Sequence, residues 1–175
     1  MHGLNREEVK KIWKDTFKQI GPTAVALFFA LGMTYIMINS GGAAGNDSML
    51  IVIAKTISSI VGKGWYIFAP VIGILGAFIS GSATVSDVMF GPLQFDAALH
   101  AGIPVVPILS LQAVGGAAGN MICVHNVVAV LTTVGLVGKE GKVIKNNVPI
   151  SLGYGTVAGV LTIILTYLFN YGFSF

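Results

Sequence analysis

WYIFAPVIGILGAFISGSATVSD, residues 65–87, is an apolar run that ends in hydroxyl groups. From Trp65 to Ile79 it has the composition of a membrane helix. It then meets Ser80-Gly81-Ser82-Ala83-Thr84-Val85-Ser86-Asp87, and a shorter apolar piece follows and stops at Gly91-Pro92. Irregular backbone survives at membrane depth only where protein buries it or a cavity hydrates it. Hydroxyls and a glycine there predict a re-entrant helical hairpin with its tip at Ser80–Ser86. Half-helix N-termini at such a tip offer free N–H groups and a partial positive charge to an anion. The other reading of the same residues is one continuous span ending near Ser86, with the hydroxyls as a solvated cap.

The rest of the chain has the same membrane character. Of its 175 residues 54% are hydrophobic and only 10% are charged, too few to cover a soluble domain. A disordered chain has the opposite balance. Glycine makes up 23 residues without a Gly-X-Y period, so the chain is not collagen-like. One cysteine, Cys123, excludes a disulfide scaffold and a Cys-rich metal site. A formal net charge of +3, concentrated in two places, does not point to nucleic acid.

Those two places set the topology. Arg6 to Lys18 holds eight of the 17 charged residues, and Lys139 to Lys145 holds four more. Uncharged runs separate them: Gln19–Asn46, Gly64–Ser86, Ala97–Gly138 and Asn146–Phe175. A helix needs about 20 apolar residues to cross a bilayer. By the positive-inside rule both basic clusters are cytoplasmic. Residues 1–20 read as an amphipathic helix, lying on an anionic leaflet or serving as a charged linker. Asn5 and Glu8 form its capping pair, and Val9, Ile12, Trp13, Phe17 and Ile20 form its apolar stripe. Residues 21–175 then form the membrane domain. Its first span is Gly21–Ser40, and Met49–Ile60 is a half-length or interfacial helix. Trp65 and Tyr66 stand where an interfacial aromatic belt would start the next segment, and Val148–Asn170 is the last span. Ser151, Gly155 and Gly159 make a small-residue packing stripe on that span.

A second discontinuity lies in the 42-residue run Ala97–Gly138. No charged loop divides it, but Pro104, Pro107 and Gly115-Gly116-Ala117-Ala118-Gly119-Asn120 interrupt it. This predicts a span unwound near its middle, with carbonyls for a cation and a helix N-terminus for an anion. Gly-Gly-Ala-Ala-Gly-Asn occurs twice, at Gly41–Asn46 and Gly115–Asn120. Paired breaks of this kind mark a transporter's binding site, although a shared packing motif would look the same.

Asp87 is the charge nearest the predicted tip, and His125 follows the second break by five residues. Either one suits proton or cation coupling. Asp87 reads equally as a solvated shoulder residue, and His125 as a buried structural histidine. Asp96 and His100 belong to the interface, and Cys123 reads as a packing residue. There is no Gly-x-Ser-x-Gly elbow, no His-Glu-x-x-His and no P-loop, so nothing supports an enzyme, a cofactor or a metal site.

At these discontinuities the chain resembles the L-lactate permease family. Ser80-Gly81-Ser82-Ala83-Thr84-Val85-Ser86-Asp87-Val88-Met89-Phe90-Gly91 is similar to that family's Thr/Ser-Gly-Ser-x-Thr-x-Ser-Asn/Asp-x-x-Phe-Gly motif. The resemblance continues through Gln94, Gly115–Ile122 and Val134–Gly141, and covers Gly21 to the C-terminus. Family members are much longer, with two related halves, and the chain resembles their C-terminal part. Cys123-Val124-His125-Asn126 departs from the Ser-Pro-Gln-Ser type of some members, which weakens any transfer of a role to His125.

The resemblance implies import of lactate, or glycolate, across a bacterial or archaeal plasma membrane together with protons. It also implies relation to ion transporters whose re-entrant hairpins carry Ser/Thr-rich tips at the substrate and cation sites.

The expected architecture is therefore all-α: a polytopic membrane protein with a re-entrant hairpin and a broken transmembrane helix. The expected function is secondary active transport of a small 2-hydroxy monocarboxylate by alternating access. A non-transporting membrane subunit or inactive fragment is the alternative. Substrate candidates are Ser80, Gly81, Ser82, Thr84, Ser86, Gly115, Gly116, Gly119 and Asn120. Coupling candidates are Asp87 and His125, with the proton, or else Na⁺, as the ion. The expected partners are the small carboxylate, the bilayer, and the remaining permease half or a second copy. The N-terminus is expected in the cytoplasm and the C-terminus outside.

Overall fold

A computed structural model describes residues 5–41 and 47–168, and the described chain is all-α. Seven α-helices follow one another: α1 (Arg6–Asn39), α2 (Met49–Val61), α3 (Trp65–Ser80), α4 (Ala83–Ala101), α5 (Val105–Gly119), α6 (Val124–Thr133) and α7 (Glu140–Leu168). Among the described residues, three helical stretches are long and apolar enough to cross a membrane: Ile51–Ser80, Val105–Thr133 and Glu140–Leu168. The first carries α2, a 3₁₀ turn at Gly62–Gly64, and α3. The second carries α5 and α6. The earlier copy of the repeated hexapeptide lies outside the described residues from Gly42 onward, as does the expected end of the last span at Asn170.

The helix ends follow local chemistry. At Asn5 the backbone N–H donates to the Glu8 carboxylate at 2.8 Å, the expected capping pair. From there α1 continues to Asn39 with no break at residue 20. At 1.5 Å per residue it is about 51 Å long, well beyond a hydrocarbon core of about 30 Å. Its stripe of Val9, Ile12, Trp13 and Phe17 is exposed. Ser48 caps α2 by accepting the Ile51 N–H. Asp47 pairs with Lys55, the one charge of that helix.

The packing runs on small residues. α3 lies at the centre, against α4, α5 and α7. A methyl group on Gly115 would overlap the Pro70 carbonyl oxygen, and one on Gly119 would overlap that of Ile74. From the other side, a methyl on Gly73 would overlap the Gln112 carbonyl oxygen. The α3 and α5 backbones therefore touch directly, as small residues permit in membrane bundles. The expected stripe on α7 packs the same way. Ser151 Oγ donates to the Ala118 carbonyl at 3.0 Å, and a methyl on Gly159 would stand 2.6 Å from the Tyr66 oxygen. Large apolar side chains such as Phe28, Ile79, Val157 and Leu165 face outward, a surface suited to lipid.

Two local expectations need correction. Trp65 and Tyr66 do not face outward as belt residues would. They are 0% and 1% exposed and belong to the core with Leu93, Ile108 and Leu111. The Trp65 indole has a buried acceptor in Gln94, so it needs no headgroup region. Nor does α4 stop at Gly91-Pro92. It runs on to Ala101, because Gly91 has no Cβ to meet the proline ring and has open space around it. The buried residues beyond the proline, Leu93, Gln94, Ala97 and Ala98, outweigh one missing backbone bond.

Candidate functional site

The turn between α3 and α4 is two residues long. Gly81 ends α3 with φ +75°, a conformation that glycine adopts without steric cost, and its N–H bonds the Ala77 carbonyl at 2.8 Å. Ser82 then caps α4, its hydroxyl accepting the Val85 N–H at 3.4 Å. Ser80 Oγ lies 2.7 Å from the Gly76 carbonyl and accepts the Ser82 N–H at 3.3 Å. The tip is therefore narrower than Ser80–Ser86. Ala83, Thr84, Val85 and Ser86 already belong to the first turn of α4.

The second discontinuity also falls later than expected. Gly115, Gly116 and Gly119 lie inside α5, where they make the close approach to α3 and α4. Helix geometry fails only after Gly119, at residues 120–123, before α6 begins at Val124. Glycine lowers helix propensity by about 1 kcal/mol. Here a packing seam that admits no larger residue holds the helix together.

The fold brings the two discontinuities to one place. A methyl group on Gly81 would stand 3.1 Å from His125 Nδ1 and 3.2 Å from Cys123 Sγ. The hairpin tip thus rests against the first turn of α6. Two helix N-termini share this spot, that of α4 at Ala83 and that of α6 at Val124. The first N–H groups of each have no partner within their helix and carry the positive end of its dipole. His125 is exposed beside the tip, whereas Cys123 is fully buried. The histidine is therefore not the buried structural residue of the alternative reading, and the cysteine is the expected packing residue.

Asn120 stands at the end of α5. Its side-chain oxygen is buried without a hydrogen-bond partner. Such an atom costs about 1–3 kcal/mol until something donates to it. Asn120 also lines a cavity of about 170 Å³ with Met121, Asn126, Val127, Leu131 and Asn147. The Asn126 and Asn147 amides hold the break in shape, donating to the Asn120 and Met121 carbonyls at 3.2 Å each.

The remaining candidates divide. Thr84 is exposed at the start of α4. Ser86 is completely buried, and its hydroxyl donates to the Gly73 carbonyl at 2.9 Å and accepts from Gln112 at 3.0 Å. It fastens α4 to α3 and α5. Asp87 is half-buried, with Oδ1 3.5 Å from the Gln112 amide nitrogen. A methyl on Gly116 would come within 3.3 Å of the same oxygen. Among the described residues no Lys, Arg or His reaches ion-pair distance of Asp87, and no three metal-ligating side chains cluster.

Sequence reasoning missed Gln112, Asn126 and Asn147 as functional candidates, and used Gln94 only as part of a resemblance. The signal was present: Gln112, Asn126 and Asn147 are amides in long uncharged runs. A side chain of that kind in lipid needs an internal partner.

Comparison with known proteins shows which family the chain is similar to. A family described as L-lactate permease matches residues 1–169, so the match starts ahead of Gly21. A Haemophilus influenzae protein that carries an L-lactate permease name is 37% identical over 166 residues, 95% of this chain and 30% of that protein. An L-lactate permease of Bacillus subtilis is 29% identical over 91% of this chain and 27% of its own length. A glycolate permease of Escherichia coli is 31% identical over 59% of this chain and 18% of its own length. The chain thus spans less than a third of the length of these relatives. No solved structure matches it.

Proposed function

Since the chain belongs to the L-lactate permease family, we propose that it carries the substrate-binding unit of a secondary transporter for lactate or a similar small 2-hydroxy monocarboxylate such as glycolate. The observation that carries this reading is the meeting of the Gly81 tip with the first turn of α6. A carboxylate needs N–H donors and positive potential, and two neighbouring helix N-termini offer both without a cationic side chain. The Ser82 and Thr84 hydroxyls and the orphan oxygen of Asn120 are available to the hydroxyl of the acid. Valine and leucine side chains around the break suit its methyl group.

Asp87 and His125 flank the tip and are the groups we assign to proton coupling, with Na⁺ as the other ion to test. Alternating access then moves the interlocked α3–α4–α5 unit against the remaining permease segments, opening the tip to one side and then the other. The α3–α4 turn acts as the tip of a re-entrant hairpin, and α5–α6 as a broken span. Residues 1–20 lie at the cytoplasmic face of a plasma membrane, and the chain ends outside. The remaining permease segments, or a second copy, complete the cavity. A second reading is a membrane subunit that does not cycle alone.

Uptake of labelled lactate into proteoliposomes holding only this chain, with pH and Na⁺ gradients imposed separately, decides between the two. Ser82→Ala combined with Thr84→Ala should lower uptake at unchanged membrane abundance. Unchanged uptake removes the tip from the site.

A further inference from the structure

Gln94 and Gln112 lie side by side in the buried centre of the bundle, 0% and 1% exposed. Their hydrogen bonds run one way. Trp65 Nε1–H donates to Gln94 Oε1 at 2.8 Å. Gln94 Nε2 donates to Gln112 Oε1 at 2.9 Å and to the Ala69 carbonyl at 3.1 Å. Gln112 Nε2 faces Ser86 Oγ at 3.0 Å, the Ser86 carbonyl at 3.3 Å and Asp87 Oδ1 at 3.5 Å.

An indole nitrogen can only donate. Gln94 must therefore turn its oxygen to Trp65 and its NH₂ to Gln112. Gln112 must then turn its oxygen to Gln94 and its NH₂ to Ser86 and Asp87. Reversing either amide would set acceptor against acceptor or donor against donor, in a place where an unmade bond is expensive.

We propose that Trp65, Gln94 and Gln112 form a one-way hydrogen-bond relay that holds an N–H donor against Asp87, so that its carboxylate is presented to the site as the acceptor of a cation or proton. Gln112 is thereby a positioning residue, and its role rests on the reading of Asp87 as a coupling group. The neighbouring helices bring little else that is charged. α5 carries no ionisable side chain, and α3 carries only Tyr66. Lys55 of α2 is taken by Asp47. The charged residues of α1 end at Lys18, in its exposed first half. His125 of α6 stands at Gly81, across the tip.

Gln112→Glu tests the relay. It keeps an oxygen for Gln94 and replaces the donor facing Asp87 by an acceptor. In the purified full chain, the variant should melt below the wild type. The gap should widen as pH rises from about 5 to about 8, reaching about 4 °C or more, because two facing carboxyl groups can then no longer share a proton. Adding Asp87→Asn restores a donor opposite Glu, and should recover more than half of the loss that develops between about pH 5 and about pH 8, while the constant loss from the Ser86 contacts remains. A pH-independent loss, or a double variant no better than Gln112→Glu, overturns the relay. If Gln112→Glu does not accumulate, accumulation of the double variant is itself the rescue, and its absence overturns the relay.

Uptake separates the two claims. The rescued double variant should lose uptake driven by a pH gradient. If it retains that uptake, Asp87 is not the coupling group and that part of the proposal falls, while the melting data still judge the relay.

Discussion

Replacing Gly115 with alanine adds one methyl group where none fits. The added carbon would overlap the Pro70 carbonyl oxygen and stand 2.7 Å from both Pro70 C and Cα. All three are backbone atoms, so no rotamer change relieves them and α3 must move away from α5. Overpacking of this kind costs about 1–3 kcal/mol. Intrinsic helix propensity returns about 1 kcal/mol for Gly→Ala. Because only rigid backbone opposes the methyl, the cost falls at the upper end of that range and the net loss is about 2 kcal/mol. For a chain of this length that lowers the melting temperature by about 4–8 °C.

Gly153→Ala is the matched control. It lies in α7 with nothing within 4 Å of the added methyl, so only the propensity gain applies. It should hold or raise the melting temperature. Thermal unfolding of both variants in detergent, followed by circular dichroism, measures the contrast. The same movement of α3 would shift the Gly81 tip off α6, so lactate uptake should fall with Gly115→Ala and not with Gly153→Ala. A Gly115→Ala protein as stable as the wild type would refute the direct backbone contact of α3 and α5.

Removing the orphan acceptor with Asn120→Ala should leave the melting temperature unchanged or raise it, since a buried unpaired oxygen costs about 1–3 kcal/mol. If Asn120 serves the substrate, the same variant loses uptake, and a stable variant with full uptake excludes that role. Cys123, the one cysteine and completely buried, should resist a membrane-permeant maleimide in the folded chain and react fully in denaturant. Labelling at equal rates in both states would contradict its place under the hairpin tip.

The readable features of the sequence were those that local chemistry sets. The helical end of α3 and the start of α4 were legible because Gly81 and Ser82 impose them within four residues. The Asn5–Glu8 cap and the small-residue stripe of α7 were legible for the same reason of short range. Gly115, Gly116 and Gly119 were harder. An isolated glycine run predicts unwinding, and only the neighbouring Pro70, Ile74 and Asp87 show that these glycines are places of contact. Ser86 has the same history. As one hydroxyl among four it looked available to a ligand, yet Gly73 and Gln112 take up its bonding.

Composition and charge by themselves determined that this is a helical membrane chain, because the cost of burying charge and unpaired backbone in lipid acts on every segment separately. They also marked both discontinuities, since hydroxyls, prolines and glycines change backbone preference within a few residues. What only the tertiary structure decided is that the tip at Gly81 and the break after Gly119 meet. The same holds for the Trp65–Gln94–Gln112 chain that ends at Asp87. These depend on partners 18 to 44 residues apart, brought together by a seam of glycines that no local preference predicts.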